Sequence, residues 1–311
     1  MDFSLVAIIA LFASAIRIAT PLTLAGLGET ISEKSGILNI GIEGIMLVGS
    51  FTSFITTFAT GSLWAGAMAG IVSGILLSLL HAVLSIECKA DQTIVGLAIN
   101  FLAMGLTSFV FLMIFGQSTT LPSCKMITGL EIPYLSKLPF VGEILFSQDI
   151  VVYLMLLLIL LVWVFMNKTQ WGIHLTAVGM YPRAADTVGI SVKKIRYLAA
   201  GFNGLAAGLA GSYLVLGQLG FFMENLTSGK GYIALVAVIL GRRNPLGVFA
   251  ATIVFGLASA LQFNLQTMGL NIPSQVFSMF PYVITVIALL FSIGKSSDPA
   301  ALGVPYERDE R

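Results

Sequence analysis

Nine stretches of this chain are long and apolar enough to cross a bilayer or come close to it: residues 3–31, 42–60, 63–86, 92–116, 149–167, 195–217, 230–241, 246–266 and 276–294. A helix needs about 20 mostly apolar residues to cross a hydrocarbon core of about 30 Å. In lipid every backbone N–H and C=O must be paired inside the protein, and long apolar runs meet that demand as a bundle of helices. Composition agrees, since 57% of the 311 residues are hydrophobic and 10% are charged, against about 25% charged in a soluble domain. The expected fold class is an all-α integral membrane protein, one transmembrane domain over residues 1–311, with about nine spans (eight to ten), some of them broken. Residues 3–31 read as one span, or as an interfacial helix followed by a span with Arg17 at the junction. They lack the basic start and small-residue cleavage site of a signal peptide. The seventh run is short, so part of residues 218–229 is expected to complete it at membrane depth.

Cations decide the orientation. With the C-terminus inside, Lys34, Lys89, Lys168, Arg183, Lys193, Lys194, Arg196, Arg242, Arg243, Lys295, Arg308 and Arg311 fall on the cytoplasmic side, and Arg17, Lys125, Lys137 and Lys230 fall outside. The positive-inside rule therefore predicts a multi-pass protein of the cytoplasmic (inner or plasma) membrane with a cytoplasmic C-terminus and an external N-terminus. Residues 168–194 become a cytoplasmic loop and 295–311 a cytoplasmic tail. Residues 117–148, with Pro122, Pro133 and Pro139, become the one long external loop. A net charge of +1 gives no electrostatic case for nucleic acid as a partner. Cys88 and Cys124 fall on opposite sides of the membrane, which argues against a disulfide, and no metal-ligand spacing is present. His81 and His174 are isolated, with no Ser or Cys partner for nucleophilic catalysis.

Three stretches interrupt the apolar pattern. Residues 167–196 hold the longest polar and basic cluster, and at its centre P-R-A-A-D-T-V then Gly189 reads as a short helix. Pro182 suits its first position, and Gly189 suits the residue just past its end. A short capped basic helix between spans is read as a surface through which another protein drives this one. Residues 28–44 carry Glu29, Glu33, Lys34, Asn39 and Glu43 among glycines, which predicts irregular backbone near or within the membrane. Residues 220–245 place Gly229 and Gly231 around Lys230 just before the short run, the pattern of a broken helix that shapes a substrate path. After the basic cluster, Gly201, Gly204, Gly208 and Gly211 with their alanines predict a helix that approaches its neighbours closely.

At these stretches the chain resembles the permease subunits of ATP-binding cassette importers for branched-chain amino acids, ribose and related solutes, and within them the nucleoside and simple-sugar branch. LGETISEKSGILNIGIEGIMLVGSF at 27–51 is similar to that branch's N-terminal signature. GMYPRAADTVGISVKKIRYLAAGFNGLAAGLAG at 179–211 resembles the family's coupling segment and the helix after it. ENLTSGKGYIALVAVILGRRNPLG at 224–247 looks like the branch's most distinctive stretch. The resemblance implies a pore of two permease subunits, usually two different chains, with cytoplasmic ATP-binding subunits and an external solute-binding protein. It implies that Pro182, Arg183, Ala184, Ala185, Asp186 and Gly189 form the coupling helix, with Ala184 and Ala185 as a slim apolar face for a cleft on the ATPase and Arg183 and Asp186 at the rim. No G-x-x-x-x-G-K-[ST] motif is present, so ATP and Mg belong to the partner ATPase and this chain is a non-catalytic subunit without a cofactor of its own.

A nucleoside path needs π-faces for the base and amides or hydroxyls for its edge and the ribose. The candidates for path or gate are Glu43, Asn39, Asn100, Gln218, Phe221, Phe222, Glu224 and Asn225, with Gln92, Asn203, Gln262, Asn264 and Gln266 behind them. For Glu29, Glu33 and Glu43 the competing role is capping and ion pairing; for the amides it is interhelical hydrogen bonding, worth about 0.6 kcal/mol each. Glu43 leads because it sits within an apolar run, where an ionisable group costs roughly 2.5–3.5 kcal/mol or more. The expected function is a permease subunit of an ATP-driven nucleoside importer. The alternatives are a ribose or other simple-sugar importer, a stand-alone secondary transporter, and an integral membrane enzyme. The orientation is open to test. Cysteines placed at Lys193 and Lys295 are expected to react only with reagent applied from the cytoplasm, and one at Lys137 only from outside; labelling of position 193 from outside overturns the topology.

Overall fold

The computed structural model describes residues 5–116, 122–131, 141–267, 273–292 and 298–307. Pro133, Lys137, Pro139, Lys295, Arg308 and Arg311 lie outside the described residues. In chain order the elements are α1 (Leu5–Lys34), α2 (Ile42–Thr60), α3 (Leu63–Ile86), α4 (Gln92–Phe115), β1 (Leu130–Glu131), α5 (Val141–Leu145), β2 (Ser147–Gln148), α6 (Ile150–Lys168), α7 (Gln170–Met180), α8 (Pro182–Thr187), α9 (Val192–Tyr213, extended by a π turn Leu214–Leu219), α10 (Lys230–Leu240), α11 (Pro245–Thr267), α12 (Ser274–Ser278) and α13 (Phe280–Ser292). Seven of these helices are long and apolar enough to cross a membrane: α1, α2, α3, α4, α6, α9 with its π turn, and α11. Two shorter apolar helices, Lys230–Leu240 and Gln275–Leu290, accompany them.

Helix ends follow local chemistry. Gly61 takes the left-handed conformation that closes α2 (φ 69°), and Ser62 then caps α3 by accepting from the Ala65 amide. Asp91 accepts from Thr93 and Ile94 to start α4, and Ser191 accepts from Lys194 to start α9. Cations gather at one end of the bundle, hereafter the basic end, where Lys34, Lys89, Lys193, Arg196 and Arg243 lie at helix termini and turns.

Of the two sequence readings of the first span, the structure has the single helix, with Pro21 inside it and no interfacial helix breaking off at Arg17. Proline has no N–H, so the carbonyl four residues earlier loses its helical partner. That carbonyl belongs to Arg17, and it accepts instead from Gln218 Nε2 at 2.8 Å. The Arg17 side chain donates to Gln148 Oε1 (2.7 Å) and to the Ser147 carbonyl (2.9 Å). The two-stranded β1–β2 pairing, Leu130 opposite Gln148, sits at this end, and the Cys124 and Ile127 amides bond to Gly220 and Leu216. The irregular backbone expected over residues 28–44 is confined to 35–41, because α1 runs to Lys34.

The centre of the bundle is α9, packed against α1, α2 and α3 through small residues. A Cβ added to Gly204 would lie 2.7 Å from the Ile75 Cα, and one added to Gly208 would lie 3.1 Å from the Ile71 Cα. Ser78 Oγ donates to the Ala200 carbonyl (2.7 Å) and Ser50 Oγ to the Gly211 carbonyl (2.8 Å). Close backbone approach replaces the hydrophobic effect as the source of helix association in lipid. Gly201 differs from the other three glycines, since nothing lies within 4 Å of its added Cβ. Gly204→Ala is therefore expected to lower the thermal stability of the purified protein by about 1–3 kcal/mol through overpacking. Gly201→Ala is expected to leave it unchanged or to raise it by up to about 1 kcal/mol; size-exclusion chromatography after a heating series reads both.

Candidate functional site: a buried polar seam and an exposed short helix

Two places carry the chemistry that the apolar pattern cannot explain. The first is a buried polar seam where two helices begin inside the bundle. The turn 35–41 runs back along α1, and α2 starts at Ile42. Glu43, in its first turn, is 5% exposed. Its Oε1 accepts from the Gly229 amide at 2.7 Å and its Oε2 from the Gly231 amide at 2.6 Å. These are N–H groups at the start of α10, which no intrahelical carbonyl satisfies, and the helix dipole favours an anion there. From Gly231 to its end at Leu240 this helix rises about 14 Å, about half of what a hydrocarbon core about 30 Å thick requires.

Asn100 on α4 continues the seam. Its Oδ1 accepts from the Gly44 amide (2.7 Å), and its Nδ2 donates to the Ile40 carbonyl (3.0 Å) and to the Tyr232 hydroxyl (2.9 Å). Asn39 Oδ1 accepts from the Gly41 amide (3.0 Å). Glu29 Oε1 accepts from the Asn39 amide (2.9 Å), and Asn203 Nδ2 donates to Glu29 Oε2. Glu33 is bound by Arg243 Nε at 2.5 Å, and Arg243 also pairs with Asp298. Gln92 Oε1 takes the Leu38 amide (2.8 Å). The seam thus joins Glu43, Asn39 and Asn100 with Glu29, Glu33, Asn203 and Gln92, and every one of these side chains is buried. Each tethers backbone or another helix in this state, and Tyr232, which sequence reasoning passed over, is the member that is 40% exposed.

The remaining path candidates lie apart from that seam. Phe222 is fully buried in an aromatic cluster, with ring centroids 5.1 Å from Phe51, 5.5 Å from Phe111 and 6.1 Å from Phe54. Phe221 pairs its backbone with Ser123. Gln218 holds the carbonyl that Pro21 frees. Glu224 and Asn225 are exposed, and Asn225 (φ 53°) turns the chain, its carbonyl accepting from the Ser228 amide at 3.0 Å. Gln262 Nε2 meets Ser278 Oγ (3.4 Å), and Asn264 Nδ2 meets the Ala260 carbonyl (2.8 Å). His81 is buried, with Nε2 3.2 Å from the Gln92 carbonyl, and His174 stands edge-on to Trp171. Among the described residues no group of three or more His, Cys, Asp and Glu side chains is placed to hold a metal ion.

The second place is α8. Pro182 occupies its first turn, and Gly189 (φ 86°) closes it, with the Ile190 amide donating to the Ala185 carbonyl (3.0 Å). The outward face differs from the sequence expectation. Ala185 points into the protein and is 3% exposed, whereas Ala184 and Arg183 are exposed. The apolar residues facing out with Ala184 are Tyr181 (66% exposed) and Val188 (75%). Their 181–184–188 spacing is a one-face helical pattern that could have been read from the sequence. Beside α8, Lys193 Nζ lies 2.7 Å from Glu87 and holds that carboxyl below its ordinary pKa.

Comparisons with known proteins complete the picture. Residues 11–289 match the family described as branched-chain amino acid transport system, permease component. NupQ of Bacillus subtilis, a guanosine ABC transporter permease protein, is 37% identical over 304 residues, covering 94% of this chain and 95% of its own. TsgC13 of Haloferax volcanii, an ABC transporter permease protein named for glucose, is 35% identical over 321 residues, covering 94% and 96%. NupC of Lactococcus lactis, a nucleoside ABC transporter permease protein, is 34% identical over 297 residues, covering 93% of each. The Bacillus strain of NupQ has a second matching permease protein, NupP, at 27% identity. Among solved structures, an inward-facing metal-chelate type ABC transporter superposes with a TM-score of 0.52 at 14% identity, covering 90% of this chain and 85% of that one, a likeness of fold. The family match and these relatives together establish that the chain belongs to the branched-chain amino acid transport system permease family, as a multi-pass ABC transporter permease.

Proposed function

We propose that the chain forms half of the membrane path of an ATP-driven nucleoside importer. The observation that carries this reading is the 37% identity to a guanosine permease protein along 94% of the chain. The paired relatives NupQ and NupP support a second, different permease as the other half of the pore. In this reading nine helices span, with Lys230–Leu240 and Gln275–Leu290 joining the seven long ones. The basic end faces the cytoplasm, α8 is the coupling helix, and an external binding protein delivers solute at the opposite end. The buried seam holds the start of α2 against the start of the short helix α10 inside the bundle, a junction at which rigid-body movement changes access to a path. A simple sugar is the second reading, and the identity to TsgC13 favours it. Uptake of labelled guanosine, uridine, ribose and glucose in a strain lacking the gene separates the two: nucleoside uptake lost and sugar uptake kept is the expected result, and the reverse overturns the solute assignment.

The geometry of α8 sets a sharper expectation. A helix couples only if it binds the two ATPase states differently. Ala184→Trp adds bulk to the outer face and is expected to reduce ATPase retention on purification about five- to hundred-fold, as an overpacking cost of about 1–3 kcal/mol dictates, with the permease itself still folded. Ala185→Trp adds bulk inside the subunit and is expected to lower permease stability and yield. Equal, wild-type retention in a folded Ala184→Trp complex overturns the coupling assignment.

A further inference from the structure

Residues 298–307 form no helix or strand, yet five bonds fix them across the basic end. Asp298 pairs with Arg243 in the turn after α10, and the Ala301 amide donates to the Gly179 carbonyl (2.9 Å) near the end of α7. The Gly303 amide donates to the Gly36 carbonyl (3.1 Å), and the Val304 carbonyl accepts from Arg196 Nη1 (3.2 Å). Glu307 pairs with Lys89 in the turn between α3 and α4. Arg196 is itself buried, in the second turn of α9, and its Nε donates to the Ser35 carbonyl (3.3 Å).

This segment ends beside α8. Tyr306 lines a cleft of about 400 Å³ together with Asp186, Gly189, Ser191, Val192 and Lys193. Val304 and Pro305, just before Tyr306, are exposed, as are Tyr181, Ala184 and Val188 around α8. The ion pairs Lys193–Glu87 and Lys89–Glu307 stand at the same end, so this surface faces water rather than lipid tails. Apolar and aromatic residues around a polar cleft, with charges at the rim, have the make-up of a protein–protein contact, and exposed apolar surface in water marks such contacts.

We propose that the C-terminal segment is the second half of the docking surface for the ATP-binding subunit. Together, α8 and the Val304–Pro305–Tyr306 run form one face, and the cleft between them takes a side chain of that subunit. The proposal rests on the assignment of α8 as the coupling helix. It adds a mechanical consequence. The bonds to Gly36, Gly179, Arg196 and Arg243 tie this face to the ends of α1, α7, α9 and α10, so a displacement of the face moves helix ends on both sides of the seam.

Photo-crosslinking in the intact complex, in membranes, tests both layers at once. A benzoylphenylalanine is placed singly at Val188, at Tyr306 and, as a control at the far end of the bundle, at Trp64. Adducts from positions 188 and 306 to a protein carrying a phosphate-binding loop, with none from 64, are expected. An adduct from 188 alone overturns the proposal and leaves the coupling assignment standing. An adduct from neither position overturns the coupling assignment, and an adduct from 306 to any other protein overturns the proposal. In the same complex Tyr306→Asp is expected to lower ATPase retention about ten-fold, as for an aromatic anchor, while Tyr306→Phe retains it. Full retention by a folded Tyr306→Asp complex overturns the proposal.

Discussion

Glu43 is where this bundle resolves its hardest problem. A helix that begins inside an apolar bundle exposes N–H groups to surroundings that cannot hydrogen-bond them, at a cost of several kcal/mol each. Two amides at the start of α10 meet the two carboxylate oxygens of Glu43, which is itself in the first turn of another helix that begins inside the bundle. The costly ion and the costly helix end thereby satisfy one another. What surrounds them extends the same solution: Asn100 takes the Gly44 amide and the Ile40 carbonyl, and Glu29 takes the Asn39 amide, so the backbone of 35–41 and the start of α2 are pinned from α1 and α4. The small-residue packing of α9 against α3 and α2 supplies the stiff frame on which that seam is mounted.

The long helices were legible because their ends carry strong local signals. Residues 42–60 and 63–86 read from the apolar pattern coincide with α2 and α3, where Gly61 and Ser62 punctuate the chain. Half of the seam was legible too: Glu43 stood out as an acid in an apolar run, and Gly229–Lys230–Gly231 as a helix break. Their meeting was not, since 186 residues separate Glu43 from Gly229 and no local rule pairs them. Gln218 misled for a related reason. It resembles a polar path residue, while its partner is a carbonyl freed by a proline 197 residues earlier in the chain, Pro21. Which alanine of α8 faces outward depended on how α8 leans on α7 and α9, and the lacing of residues 298–307 depended on backbone carbonyls that any sequence offers.

On the proposed reading, the molecule divides its labour by depth. The basic end holds α8 and the C-terminal segment where an ATP-binding subunit can press on them. The helix ends and turns tied to that surface carry Arg196, Arg243 and Glu33, buried groups that join α9 to the turn after α1 and the turn after α10 to α1. Higher up, the seam holds the starts of α2 and α10 by hydrogen bonds that can be exchanged, and Tyr232 places a hydroxyl at its exposed edge. A transport cycle needs such a bistable element, in which a few polar contacts are remade while the helices stay rigid.

The stability of Glu43 variants tests the account most directly. Removing both acceptors with Glu43→Ala leaves a buried amide at Gly231 and a half-buried one at Gly229 unsatisfied, at up to about 1–3 kcal/mol each, whereas Glu43→Gln keeps one acceptor oxygen. Thermal unfolding of the purified permease, with hydrogen exchange at the start of α10, is the measurement. The account predicts a clear loss of stability for Ala, a smaller one for Gln, and faster exchange at residues 229–233 in both. Wild-type stability and protection in Glu43→Ala would contradict it, because α10 would then begin inside the bundle without the group assigned to hold it.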